Sequence, residues 1–154
     1  MEPMIHSKLT FFVLCFYLFD FPCFPGSNNL TGTLPNEISY LSSLQNLDIW
    51  FGNLHGTIPE SCGNLTLLES FSVARHQLTG TIPTSFSQLR RLKFLFLGDN
   101  ILTGTIPSFL FTLPSLRKID LDRNILSGTI PEFSSSVIYV TMDDNLLEGM
   151  WRSC

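Results

Sequence analysis

Three histidines and four cysteines are the residues of this chain from which a catalytic triad or a soft metal site would have to be assembled. His6, His55 and His76 stand apart, with no serine or cysteine nucleophile and acid spaced around them, so triad chemistry finds no footing. Cys15, Cys23, Cys62 and Cys154 contain no C-x-x-C pair, so nothing points to zinc. No glycine-rich phosphate loop is present, because each recurring G-T-x-P glycine meets proline where a phosphate-cradling helix would have to begin. The chain is therefore expected to have no catalytic residue, no metal and no cofactor. What remains is the chemistry of contact. Trp50, Phe51, Phe94, Phe96 and Tyr139 are large, rigid side chains of the kind that anchor interfaces when held outward. Asp120, Asp122, Asp143 and Asp144 could draw a basic partner or a cation.

The elements that must hold these side chains follow from one repeat. Glycine, threonine, an apolar residue and proline recur at Gly32, Gly56, Gly80, Gly104 and Gly128, a step of 24 residues each time, and a shortened step of 21 ends at Gly149. Apolar residues stand 12, 9 and 7 places before Gly56, Gly80, Gly104 and Gly128, as in Leu92, Leu95 and Leu97. The last two alternate with polar neighbours, the period of a short strand with one buried face. After the proline, apolar residues return at the third and sixth places (Phe86 and Leu89, for example), which suits one helical or 3₁₀ turn on the far side. No single coil buries its own leucines, but stacked coils shield one another.

Register then fixes what points outward. Ten places before the glycine stand Asn46, Ser70, Phe94, Lys118 and Tyr139, and eight before stand Asp48, Ser72, Phe96, Asp120 and Thr141. Trp50 falls six before and Phe51 five before, so all five aromatics belong to the strand face. They could dock a peptide or protein, or pack against the N-terminal hydrophobic segment or a cap. The column five before the glycine alternates as Arg75, Asp99, Arg123 and Asp144, which predicts a ladder of cross-strand ion pairs, with Glu69 and Lys93 as a similar pair. Arg117, Lys118 and Arg123 near the four aspartates leave a solvated acidic edge as the alternative to a cation or basic-ligand site. Four before the glycine, Asn28, Asn100, Asn124 and Asn145 are placed to satisfy backbone groups of neighbouring coils; Gly52 and His76 interrupt this file, which predicts the two loosest turns there.

Threonine supplies a further pattern. Thr33, Thr57, Thr81, Thr105 and Thr129 follow the glycines, and Thr31, Thr79, Thr103 and Ser127 precede them. Such files resemble the flat faces of ice-binding solenoids, although β-branched residues also suit a second short strand at that corner.

Composition narrows the partners. With 9 Lys and Arg against 13 Asp and Glu, a net charge of −4 and 44% hydrophobic content, the chain is neither a nucleic-acid binder nor disordered. Residues 1–27 lie outside the repeat. Their apolar run from Leu9 to Phe19, ended by Asp20, is the length of a signal-peptide core, with an anchor or an atypical cap as alternatives. Asn29 and Asn64 open N-x-T sequons that would carry glycans on export. Cys62 stands where the repeat places a buried apolar residue, so it is expected to be a core thiol.

The unit LKFLFLGDNILTGTIPSFLFTLPS at 92–115 resembles the plant-type leucine-rich repeat, in five tandem copies over residues 28 to about 150. The resemblance implies an α/β repeat solenoid: a right-handed leucine-rich-repeat horseshoe over 28–154, with a parallel β-sheet on its concave face and short helical or 3₁₀ turns on the convex side. It further implies a short or truncated member of the receptor-like family that binds a protein, peptide or glycan. The expected setting is secreted or membrane-associated, tethered through the N-terminal segment; a cytoplasmic scaffold and an ice-binding solenoid are the alternatives.

Overall fold

The computed structural model describes residues 30–132 and 137–149. They hold four 3₁₀ turns and eleven short strands: β1 (Thr31–Gly32), β2 (Asn46–Asp48), β3 (Asn53–Thr57), β4 (Ser70–Ser72), β5 (Gln77–Thr79), β6 (Phe94–Phe96), β7 (Thr103–Thr105), β8 (Lys118–Asp120), β9 (Ile125–Thr129), β10 (Tyr139–Thr141) and β11 (Leu146–Glu148). The 3₁₀ turns span Asn36–Tyr40, Glu60–Asn64, Thr84–Gln88 and Ser108–Thr112, each entered from a proline. Proline ends the preceding extended segment and leaves the turn no donor to waste at its first position.

Strands β2, β4, β6, β8 and β10 form one parallel sheet, with Asn46, Ser70, Phe94, Lys118 and Tyr139 side by side and Leu47, Phe71, Leu95, Ile119 and Val140 in the adjoining column. The expected register is thus the observed one. Strands β1, β3 and β5 form a second sheet, and β7, β9 and β11 a third, continued across the gap by the Thr103 amide donating to the Gly80 carbonyl at 2.7 Å. Between the sheets lies one apolar core in which each coil contributes the same positions, from Leu30 to Met142. Phe71 and Phe86 meet edge to face at 5.1 Å. Each fully buried leucine contributes about 1.5–3 kcal/mol, so the repeat is a repeated demand for burial.

At the corner after each long-sheet strand the chain takes a positive φ at Phe51, Arg75, Asp99, Arg123 and Asp144. Residue types as different as these share the conformation because the stack requires it. Their amides and those of the next residues carry the inter-coil ladder onward, as with Arg75 to the Gly98 carbonyl at 2.9 Å and His76 to the Asp99 carbonyl at 3.1 Å.

The buried asparagines bolt coil to coil. Asn100 accepts from the Leu78 amide at 3.0 Å and donates to the Val73 carbonyl at 2.9 Å; Asn124 treats Leu102 and Leu97 in the same way. The expected interruption at His76 does not occur. Its Nδ1 accepts from the Leu54 amide at 3.3 Å and its Nε2 donates to the Ile49 carbonyl at 3.0 Å, the two positions that the asparagines serve in their own coils. The imidazole is larger than a carboxamide, and Gly52 makes room for it: a methyl group added at Gly52 would lie 2.9 Å from His76 Cε1. The two departures fit each other in volume, and at Gly52, which has no side chain, the file is interrupted as expected.

Candidate functional site

The outward face of the five-stranded sheet holds the aromatics that the register places there. Trp50 and Phe51 lie just past β2 and are 52% and 58% exposed; Phe94 is 40% and Tyr139 51% exposed, and Phe96 is half-buried. They form two groups. Phe94 and Phe96 stack with centroids 6.4 Å apart and planes 3° from parallel, and the Lys118 ammonium lies 5.4 Å from the Phe96 centroid and 4.6 Å from that of Tyr139. The result is an unbroken band across β6, β8 and β10. At the other end the Arg75 guanidinium sits 5.6 Å over Trp50. Between the two groups β4 presents only Ser70 and Ser72, both buried, so a low floor separates aromatic walls roughly 10 Å apart, two strand spacings. The two cations over the rings went unread in the sequence, although their columns were in view; opposite-face stacking is decided by rotamers, not by register.

The aspartates are engaged with the stack. Asp120 Oδ1 accepts from the Thr141 hydroxyl at 3.1 Å and the Asp122 amide at 3.1 Å, and Asp122 Oδ1 accepts from the Asp143 amide at 2.8 Å. Burial raises the Asp122 carboxyl above the usual range, its hydrogen bond with Asp143 acts against this, and Asp120 and Asp143 push it up further. Asp143 and Asp144 are exposed. Among the described residues no group of His, Cys, Asp or Glu is arranged to hold a metal ion.

The alternating column is a shorter ladder than expected. Asp99 receives both arginines, Arg123 through two hydrogen bonds and Arg75 at 3.7 Å, and the bond from Arg123 holds its carboxyl below the usual range. Glu69 and Lys93 pair at 2.6 Å as expected. All of these pairs are exposed, so they align coils more than they stabilise them.

On the two smaller sheets the threonine files are outward and exposed. Their side chains are also structural: Thr79 and Thr103 donate to the Gly56 and Gly80 carbonyls at 3.2 and 3.3 Å, and a methyl group added at Gly80 would lie 2.8 Å from Thr57 Cγ2. Gly80 needs its hydrogen for this contact as well as for its φ of 78°.

Asn64 is exposed at the end of its 3₁₀ turn, where a glycan would meet solvent. Asn29, Asn28 and the segment 1–27 lie outside the described residues. Among those described, no helix is long and apolar enough to cross a membrane. Cys62 is buried in the core as expected, and burial pushes its thiol up to about 12, so it is a packing residue and no nucleophile at neutral pH.

The Leucine Rich Repeat family model matches residues 43–65, 91–113 and 115–137. The leucine-rich-repeat ectodomain of the receptor kinase SOBIR1 from Arabidopsis thaliana is 33% identical, superposes with a TM-score of 0.74, and is matched over 80% of this chain and 70% of its own. The chain belongs to the leucine-rich-repeat family. This leucine-rich-repeat chain is also similar to the plant peptide hormone receptor RGFR1 in complex with RGF2 (36% identity, TM-score 0.76, 79% of this chain and 20% of that one). A plant ice-binding protein is 37% identical with a TM-score of 0.72, over 77% of this chain and 39% of that one. The chain therefore spans only a fraction of the length of the latter two. Among curated protein sequences nothing matches it.

Proposed function

We propose that the chain is a non-catalytic recognition module that docks a peptide or protein segment across its five-stranded sheet, in a receptor-like, extracellular setting. The observation that carries the reading is the aromatic face: Trp50 and Phe51 at one end and the Phe94, Phe96 and Tyr139 band at the other lie on the outward side of a sheet backed by a continuous apolar core. A partner crossing several strands would bury these rings at little entropic cost to the scaffold. Likeness to a peptide hormone receptor supports a peptide as the partner class. Glycan remains a further ligand class, and the exposed Asp143 and Asp144 would face basic groups of a partner. The test is an amide-exchange footprint with peptides selected from a random display library: protection is expected along β2, β6 and β10, and protection confined to β5, β7 and β9 would oppose the reading.

The extracellular setting has its own test. Expression in a eukaryotic secretory host is expected to give a product shortened at its N-terminus and carrying a glycan at Asn64, seen as a mass loss on glycosidase treatment. A full-length, unmodified cytosolic product would favour an intracellular scaffold instead.

A second reading is ice binding through the exposed threonine files, supported by the likeness to a plant ice-binding protein. It predicts that Thr81→Lys with Thr105→Lys abolishes thermal hysteresis of the chain while Trp50→Ala leaves it intact. No hysteresis in the unaltered chain would end this reading.

A further inference from the structure

The Gly52 and His76 pair has a chemical consequence that an asparagine at 76 would lack. A carboxamide offers its acceptor at every pH, whereas the imidazole accepts from the Leu54 amide only while Nδ1 is unprotonated. The ring is 7% exposed, and the bond from Nε2 to the Ile49 carbonyl sets the tautomer that leaves Nδ1 free to accept. Above it runs the turn Trp50–Phe51–Gly52, tied to its neighbour by the Phe51 amide on the Ala74 carbonyl at 3.0 Å and the Gly52 amide on the Arg75 carbonyl at 3.2 Å.

We propose that His76 is an acid-responsive latch beneath the Trp50–Phe51 turn: on gaining a proton at Nδ1 it releases the Leu54 amide and turns to the Gly52 backbone, loosening the end of the sheet that carries both aromatics. The latch stands on the fold alone; only its effect on ligand docking rests on the function proposed above.

The charged surroundings are few. On the preceding coil Asp48 is engaged by the Ser70 hydroxyl at 3.1 Å and His55 is exposed; on the same coil Arg75 lies over Trp50; on the following coil the Asp99 carboxylate is held by Arg75 and Arg123. The ring's proton affinity is governed first by burial, which lowers it, while hydrogen bonding to the Ile49 and Gly52 backbone acts the other way. Because the folded value lies below the unfolded one of about 6.5, the contribution of the neutral ring is fully present above that pH. It is lost as pH falls through the folded value.

The test is an NMR titration of the full chain from about pH 7.5 downward, following the His76 ring, the Leu54 amide and the Trp50 indole. The ring is expected to titrate below the ordinary histidine value, and the Leu54 amide and Trp50 indole to shift with the same midpoint. Leu54 exchange protection, corrected for intrinsic rates, should fall about fivefold over the first pH unit below that midpoint, as the neutral population does. In His76→Asn the Leu54 and Trp50 transitions should vanish. A Leu54 amide that ignores the ring's titration in the unaltered chain overturns the latch, whether or not the variant folds. So does an acid transition that survives in His76→Asn. Neither outcome involves a ligand, so the docking proposal stands or falls separately.

Discussion

Replacing Asn100 by leucine is expected to lower stability by about 4 kcal/mol, the largest loss from any single side chain discussed above. The change is nearly isosteric, so it leaves little cavity; the cost is in polar groups. The Leu78 amide loses its acceptor and the Val73 carbonyl its donor, both in the buried seam between two coils, and an unsatisfied buried group costs about 1–3 kcal/mol. The Leu97 carbonyl keeps Asn124, so it adds little. A loss of this size should bring the melting temperature down by roughly 10–15 °C for a chain of this length. Asn100→His is expected to be no better tolerated. An imidazole needs a glycine one coil earlier, and position 76 carries a histidine where position 52 carries glycine. Calorimetry on the two variants beside His76→Asn checks both statements; a cost below about 1 kcal/mol for Asn100→Leu would mean that the asparagines are ornaments of the repeat.

The second large effect is functional. Trp50→Ala combined with Phe94→Ala is expected to weaken binding of a peptide that crosses the sheet by a hundredfold or more, about 2.7 kcal/mol, while the fold persists. Both rings are exposed, so their loss opens no cavity in the core. One lies on each side of the Ser70 and Ser72 floor, so only a ligand spanning both walls loses both contacts. A ligand confined to one wall would show the effect of one substitution and not the other.

Much of this was legible in the sequence because each coil meets a neighbour like itself. Burial at Leu95, Leu97 and Phe86 answers the same demand as at Leu47, Ile49 and Ile38, so period alone gave strand, turn and register. The file containing His76 was misread for a related reason. Reading down one column compares residue types, whereas Gly52 and His76 fit each other in volume across two coils. Likewise the ion-pair ladder looked four residues long by sign alternation, but Asp99 engages both neighbouring arginines. The positive φ at Phe51 and Arg75 carried no signal, since neither residue type favours it; the position in the coil does. Exposure of the aromatic face followed from register. The stacking of Lys118 and Arg75 upon it did not.

The docking surface proposed above is the aromatic face of the five-stranded sheet. The most direct measurement takes a peptide selected on the unaltered chain and determines its dissociation constant for that chain, for the Trp50→Ala and Phe94→Ala double variant, and for the Thr81→Lys and Thr105→Lys double variant. Loss of a hundredfold or more is expected in the first variant and an unchanged constant in the second. Unchanged binding in the aromatic variant, with loss in the threonine variant, would contradict it.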